Sequence, residues 1–141
     1  MRNIPPVFFS EKKHRREAET LARLAEKLPK LAGKPAAYFE TFLISDREMR
    51  ILNRRFRKKN KTTNVLSFGA GKGSLRPDLG RGKIFLGEVF LAPDCIRARK
   101  EKTGFLLIHG FLHLLGYTHK RKNDRMRMER LEKEFSGKSG I

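Results

Sequence analysis

Residues 105–119 read FLLIHGFLHLLGYTH, and this stretch decides the fold. Apart from His109 and His113, every residue from Phe105 to Leu115 is nonpolar. A helix that is apolar around its whole circumference is a buried helix. Gly116 favours a left-handed turn that ends it. We therefore expect a hydrophobic helix packed at the centre of the protein.

The spacing of the histidines predicts a metal site. His109 and His113 are one helical turn apart, about 6 Å along the axis, so both imidazoles can reach one ion. The turn at Gly116 sends the chain back and presents His119 as a third ligand. Three of the four histidines lie in this segment, which favours a metal site over core histidines bonded to backbone. A fourth coordination position would remain for water or substrate.

Local signals on either side mark further helices and their ends. Ser10 is expected to cap a first helix that Pro29 ends, and Ser45 begins another with a capping-box pattern. Thr103 is expected to cap the histidine helix. His14 falls on the charged face of the first helix, and we assign it no function. The expected helices cover residues 10–28, 45–56, 93–102, 103–115 and 123–135, followed by a frayed tail over 136–141.

Three segments have the composition of strands, namely residues 38–44, 65–68 and 84–91. The strand at 84–91 is apolar on both faces and is therefore expected to be central. The glycine-rich residues 69–82 predict a loop able to fold over a ligand. We expect one α+β domain over residues 1–141, with a mixed, mostly parallel sheet of about four strands and the histidine helix packed centrally against it.

Charge indicates the partner. The chain has 33 Lys and Arg against 15 Asp and Glu, a net charge of +18, which favours nucleic acid. Residues 54–61 concentrate this charge after the second helix. No apolar stretch reaches the roughly 20 residues of a membrane span, and the first ten residues do not resemble a secretory signal. With Cys95 as the only cysteine, no internal disulfide can form, and we expect a cytoplasmic protein.

A metallopeptidase is the first alternative reading. HGFLHLLGYTH has the histidine and glycine spacing of metzincin proteases, but Gly110 stands where those enzymes carry the Glu that acts as general base. The second alternative is an RNA-binding factor without catalysis, in which the metal is structural. Structural zinc sites use four protein ligands, whereas three histidines are available here.

The sequence also resembles the YbeY endoribonuclease and rRNA maturation family, whose signature is HGxLHLxGYDH. Similar blocks occur outside the histidines: Leu52-Asn53, Phe56-Arg57, Lys59, Thr63 to Phe68, Leu86-Gly87-Glu88, Met128, Glu129, Leu131 and Glu132. The first forty residues carry no matching motif, although the family also opens with a strand, a helix and a strand. Phe111 and Thr118 depart from the signature, and the segment from Gly87 to His109 is shorter than expected. Thr118 replaces an Asp that could orient an imidazole.

The resemblance implies an endoribonuclease that favours single strands, acts on the 3′ end of small-subunit ribosomal RNA, and uses one zinc ion held by His109, His113 and His119. Its partners would be ribosomal RNA and the ribosomal small subunit. At positions similar to the family, Arg57 and Lys59 are expected to hold the scissile phosphate.

His109 is a candidate catalytic residue as well as a metal ligand, and Glu88 is the remaining candidate catalytic residue. It lies on the strand that is apolar on both faces, where a carboxylate needs a partner. Two interpretations remain open for Glu88: a general base or orienting group near the metal, and a buried ion pair with an arginine such as Arg57.

Overall fold

The computed structural model describes residues 7–71 and 83–140. It contains four strands: β1 (Val7–Phe9), β2 (Ala37–Leu43), β3 (Val65–Gly69) and β4 (Ile84–Leu91). Its α-helices are α1 (Arg15–Leu31), α2 (Asp46–Arg57), α3 (Pro93–Ala98), α4 (Thr103–Leu114) and α5 (Lys122–Ser139).

The strands form one sheet in the order β1-β2-β4-β3. The pairs β1–β2 and β2–β4 are parallel, and β3 runs antiparallel to β4. The predicted α+β class with a mostly parallel sheet of four strands is confirmed, and β4 lies between two other strands as expected. The antiparallel β3 forms one edge of the sheet.

The histidine helix α4 packs on one face of this sheet together with α1 and α5. Its Leu107, Ile108, Phe111 and Leu112 are fully buried against inward residues of β2 and β4. Strand β2 alternates buried and half-buried residues along its whole length, which is the pattern of a strand with one face on the core. The predicted burial of the hydrophobic helix is therefore correct.

The capping box at the start of α2 is confirmed. The Glu48 backbone N–H donates to Ser45 Oγ at 3.1 Å, and the Ser45 N–H donates to Glu48 Oε1 at 3.2 Å. Burial is the largest effect on the pKa of the Glu48 carboxyl and raises it, but the hydrogen bonds that the carboxylate accepts from the Ser45 N–H and from the Ser10 and Ser45 hydroxyls together lower the pKa below its usual value. At the other end, Lys58 adopts a left-handed conformation with φ of 60°. The helix thus ends within the basic run of residues 54–61.

Three residues that were predicted to cap or end a helix do not do so in the structure. Ser10 does not cap α1, which begins at Arg15 after a short 3-10 helix; its hydroxyl donates instead to Glu48 Oε1 at 2.9 Å. Pro29 lies inside the last turn of α1 because its ring is buried in the core. The Thr103 hydroxyl donates to Glu17 Oε2 at 3.0 Å rather than capping α4.

Two helix ends also differ from the prediction. Helix α3 stops at Ala98, since Lys100 takes a left-handed conformation with φ of 59° and the chain turns before α4. Helix α5 continues through the predicted frayed tail to Ser139, with Phe135 packed into the core. Of the loop predicted over residues 69–82, residues 72–82 lie outside the described part of the chain.

The prediction for His14 is wrong. Its side chain is 1% exposed, and its Nε2 lies 3.2 Å from Asp94 Oδ1. Asp94 also accepts a hydrogen bond of 2.7 Å from Lys13, which is the main reason why the pKa of the Asp94 carboxyl is lowered. The helical pattern starts at Arg15 rather than at Ser10, so His14 turns inward and joins the N-terminal segment to α3.

No helix in the described residues combines the length and apolar character that crossing a membrane requires.

Gly110 sets how closely α4 approaches the sheet. A Cβ atom built at Gly110 would lie 2.7 Å from Val89 Cγ1 and 3.0 Å from Ser67 Oγ. The Ser67 hydroxyl donates to the Gly110 carbonyl at 3.1 Å. There is no room for a side chain at the position where the metzincin motif requires Glu.

Replacing Gly110 by Ala should lower the free energy of unfolding by about 1–2 kcal/mol, because the steric cost in a packed core exceeds the gain in helix propensity. The matched control is Gly137→Ala in α5, where nothing lies within 4 Å of the added Cβ; this variant should be stabilised by about 0.5–1 kcal/mol. Urea unfolding of both variants measures the difference. Equal stabilisation of both would show that α4 does not contact the sheet this closely.

Candidate metal centre

The end of α4 brings three histidines together. The helix ends at Leu114, and Gly116 with φ of 102° donates its N–H to the His113 carbonyl at 3.0 Å. The chain then reverses, so that the His119 ring lies 4.9 Å from that of His109 and 5.2 Å from that of His113, centroid to centroid. One nitrogen from each ring lies within 4.8 Å of the other two. Sequence spacing predicted this juxtaposition.

Hydrogen bonds fix which nitrogens face the centre. His113 Nδ1 lies 3.0 Å from the Tyr117 carbonyl oxygen, which can only accept, so Nδ1 carries the proton. His109 Nδ1 lies 2.6 Å from Glu132 Oε2 and donates to that carboxylate. In the neutral form of both rings, the two Nε2 atoms carry no proton, and they lie 3.1 Å apart. Their lone pairs repel each other at this distance unless a metal ion, or a proton shared between the two nitrogens, lies between them.

The donor set fits a divalent transition metal. Tetrahedral ligands at about 2.0–2.1 Å from an ion are about 3.3 Å from one another, close to the separation of the two Nε2 atoms. Burial lowers the pKa of His113, and the charges of His109 and His119 lower it further. The neutral imidazole is the form that binds a metal. The three residues could therefore hold one ion with little rearrangement.

Glu132 is a functional residue for which sequence reasoning predicted no role. Its side chain is only 6% exposed, and it reaches His109 from α5 across the helix pair. Its signal in the sequence is its position: Met128, Glu132 and Phe135 form the buried face of α5, where a carboxylate is costly without a partner. The Glu132 carboxylate thus orients His109, while a backbone carbonyl orients His113.

A cavity of about 820 Å³ opens at this centre along the edge strand β3. The three histidines lie on its α4 side and Arg57 lies at the end of α2. Because β3 is the sheet edge, the cavity contacts residues from both faces of the sheet, including Ser67 and Phe68. Thr118 and Lys120 complete the wall near the histidines.

The other predicted catalytic residues are placed differently. Arg57 lines the cavity, whereas Lys59 is exposed in the following loop and is not among the lining residues. Glu88 precedes Val89, whose side chain faces α4 at Gly110, so Glu88 lies on the opposite face of the sheet. The structure does not bring Glu88 to the histidines.

A second group with metal-ligand chemistry lies far from the cavity lining. Glu11, His14 and Asp94 each offer an atom within 4.8 Å of the others. Asp94 is already paired with the ammonium group of Lys13 and lies 3.8 Å from Arg97 Nη1. This network of charges joins two segments of the fold.

The chain is similar to known proteins in sequence and in fold. A family model described as "Endoribonuclease YbeY" matches residues 7–140. An endoribonuclease YbeY from Solibacter usitatus is 39% identical over 124 residues, covering 86% of this chain and 78% of the relative. An endoribonuclease YbeY from Syntrophotalea carbinolica is 34% identical over 135 residues, covering 89% of this chain and 88% of the relative. The solution structure of TM1509 from Thermotoga maritima shares the fold, with a TM-score of 0.56, 23% identity and coverage of 94% and 90% of the two chains.

Replacing Glu132 by Gln should weaken metal binding by about 10–100-fold, because the carboxylate orients the His109 ring and increases its basicity. Glu134→Gln is the matched control, since Glu134 lies on the same helix and pairs only with exposed Lys138 among the described contacts. Competition with a chromogenic chelator measures both affinities. If the two variants bind metal equally well, Glu132 has no part in the site.

Proposed function

The chain belongs to the YbeY endoribonuclease family, and from this premise we propose that residues 1–141 act as one zinc-dependent domain that cuts single-stranded RNA. We further propose that its substrate is the 3′ end of small-subunit ribosomal RNA, which it would meet on the ribosomal small subunit in the cytoplasm. The family likeness supports the finer proposal, and the net charge of +18 suits an RNA substrate.

The single observation that supports metal dependence most strongly is the close approach of one Nε2 atom from each of two histidines, which carry no proton when both rings are neutral. His109 Nε2 and His113 Nε2 are 3.1 Å apart, and each ring has its Nδ1 proton committed to another acceptor. Zinc suits this set because it accepts imidazole in tetrahedral geometry. A divalent ion with three neutral ligands keeps its full charge, which polarises phosphodiester oxygens and lowers the pKa of water.

The number of ligands supports catalysis over a structural role. Within the described residues, the cluster contains three side chains of ligand type, His109, His113 and His119. Structural zinc sites are usually closed by four. The cluster also opens into the cavity along β3, so a phosphodiester can approach it.

Arg57 is the residue of this chain that we propose to bind the scissile phosphate. It lines the same cavity as the histidines, and a guanidinium group can donate two parallel hydrogen bonds to phosphate. Lys59, outside the cavity lining, would attract the RNA backbone at longer range. We propose no contact with the reacting phosphate for Glu88, since it is not among the residues that line the cavity.

The peptidase alternative loses support from the packing at Gly110. The residue that follows His109 contacts Val89 and Ser67 and has no space for a carboxylate. A purified chain that cut casein but not RNA would overturn our assignment. Sequencing the ends of precursor small-subunit RNA after treatment tests the finer proposal, which predicts cuts at the 3′ end.

Replacing His113 by Ala should abolish stoichiometric metal binding and reduce RNA cleavage at least 100-fold, because two ligands do not hold the ion. The control is His14→Gln, a buried histidine outside the cluster, which should retain one metal ion per chain. Elemental analysis beside a fluorescent RNA cleavage assay measures both quantities. Cleavage that persists in metal-free His113→Ala contradicts the mechanism.

Replacing Arg57 by Ala should leave metal content unchanged and lower kcat/KM for RNA by about 10²-fold, since a donor to the transition-state charge is lost. Arg47→Ala removes the same charge from an exposed position at the other end of α2. It should change kcat/KM by less than about threefold at moderate salt. Equal effects of the two variants would show that Arg57 acts only through general electrostatic attraction of RNA and does not bind the scissile phosphate.

A further inference from the structure

An exposed aromatic side chain lies beside the metal cavity. Phe56 is in the last turn of α2, and its side chain is 55% exposed. A single exposed apolar residue needs no explanation by itself. Phe56 is distinguished by its neighbours, which are basic residues along the chain and an aromatic residue of the cavity wall.

Two contacts hold the Phe56 ring at this position. Its centroid lies 5.1 Å from that of Phe68, in an edge arrangement at 63°, and Phe68 lines the cavity. The guanidinium carbon of Arg55 lies 5.6 Å from the Phe56 centroid. The next residue, Arg57, also lines the cavity. The ring is therefore fixed at the cavity rim while more than half of the side chain remains open to solvent.

An aromatic ring among arginines has the chemistry of a single-strand binding surface. Bases without a pairing partner stack on aromatic side chains and on guanidinium planes, and this works for every base. Bases in a duplex are already stacked on their neighbours and offer no free face. An aromatic ring at the rim thus selects unpaired strands.

We propose that Phe56 stacks on a base next to the phosphate in the cavity and so positions single-stranded RNA for cleavage. This inference rests on the proposed function, since it assumes that RNA enters the cavity. Phe56 is a positioning residue in this account: it does not touch the reacting phosphate. The rings of Phe8, Phe42 and Phe90 form a separate stack, with centroids 4.8–5.0 Å apart, and none of them lines the cavity.

The test compares Phe56→Leu with Phe56→Tyr. Both keep apolar contact with Phe68, but only Tyr keeps the ring. The probe is a 2′-O-methyl oligoribonucleotide carrying 2-aminopurine at successive positions, whose integrity is checked on a gel. Leu should raise the Kd about tenfold or more and remove the quenching of 2-aminopurine at one position, whereas Tyr should stay within about twofold of wild type. Ile51→Ala, at another exposed apolar position of α2, is the matched control and should bind as wild type does.

Two further measurements separate stacking from a structural or ionic role. With an abasic site at the quenched position, wild type and Phe56→Leu should bind equally. The dependence of log Kd on log salt should be the same in both, since no phosphate contact is lost. The proposal is overturned if Phe56→Leu binds as tightly as wild type, or if the loss is equally large with the abasic strand.

A gain-of-signal variant covers the case in which Phe56→Leu folds poorly. The chain contains no tryptophan, so Phe56→Trp introduces a single indole reporter. Single-stranded RNA should quench its fluorescence, and a blunt duplex of equal length should not. Absence of quenching by the single strand overturns the proposal. Because these assays measure binding, their failure is distinct from failure of the proposed function, which would appear as wild-type protein that does not cleave RNA.

Discussion

Two imidazole nitrogens presented by one buried helix constrain much of the architecture of this protein. His109 and His113 face the same centre because they are one turn apart, and each ring is held by a hydrogen bond at its other nitrogen. Neither ring can relieve the repulsion by turning, since rotation would break the bond to Glu132 or to the Tyr117 carbonyl. A metal ion bound between the two nitrogens would satisfy both lone pairs without moving either ring.

Two features of the fold position the histidines: the packing of α4 on the sheet and the contact from α5. Gly110 lets α4 lie close to β3 and β4, which places the histidines at the sheet edge and not above its middle. Helix α5 supports the His109 ring through Glu132. The sheet edge then becomes a wall of the cavity, and α2 delivers Arg57 to it. The basic side chains in the last turn of α2 add positive charge beside this cavity, which suits an anionic strand.

The sequence was most informative where structure is local. The spacing of the histidines and the helix stop at Gly116 predicted the cluster, and the pattern of Ser45 and Glu48 predicted the cap of α2. Predictions failed where residues far apart in sequence meet: Ser10 bonds to Glu48, and Thr103 bonds to Glu17.

Residues whose orientation depends on tertiary packing could not be placed from the pattern alone. Glu132 acquires its role from the packing of α5 on α4. Glu88 was a candidate because its strand is apolar on both faces, but alternation relative to Val89 decides which face it occupies. The position of Phe56 likewise depends on tertiary packing, since its ring contacts Phe68 of the cavity wall.

The most direct measurement of the central claim is X-ray absorption at the metal edge of the purified protein. Our account predicts one ion per chain with three imidazole nitrogens at about 2.0–2.1 Å and one further light ligand; a protein without stoichiometric metal, or a spectrum without imidazole scattering, would contradict it.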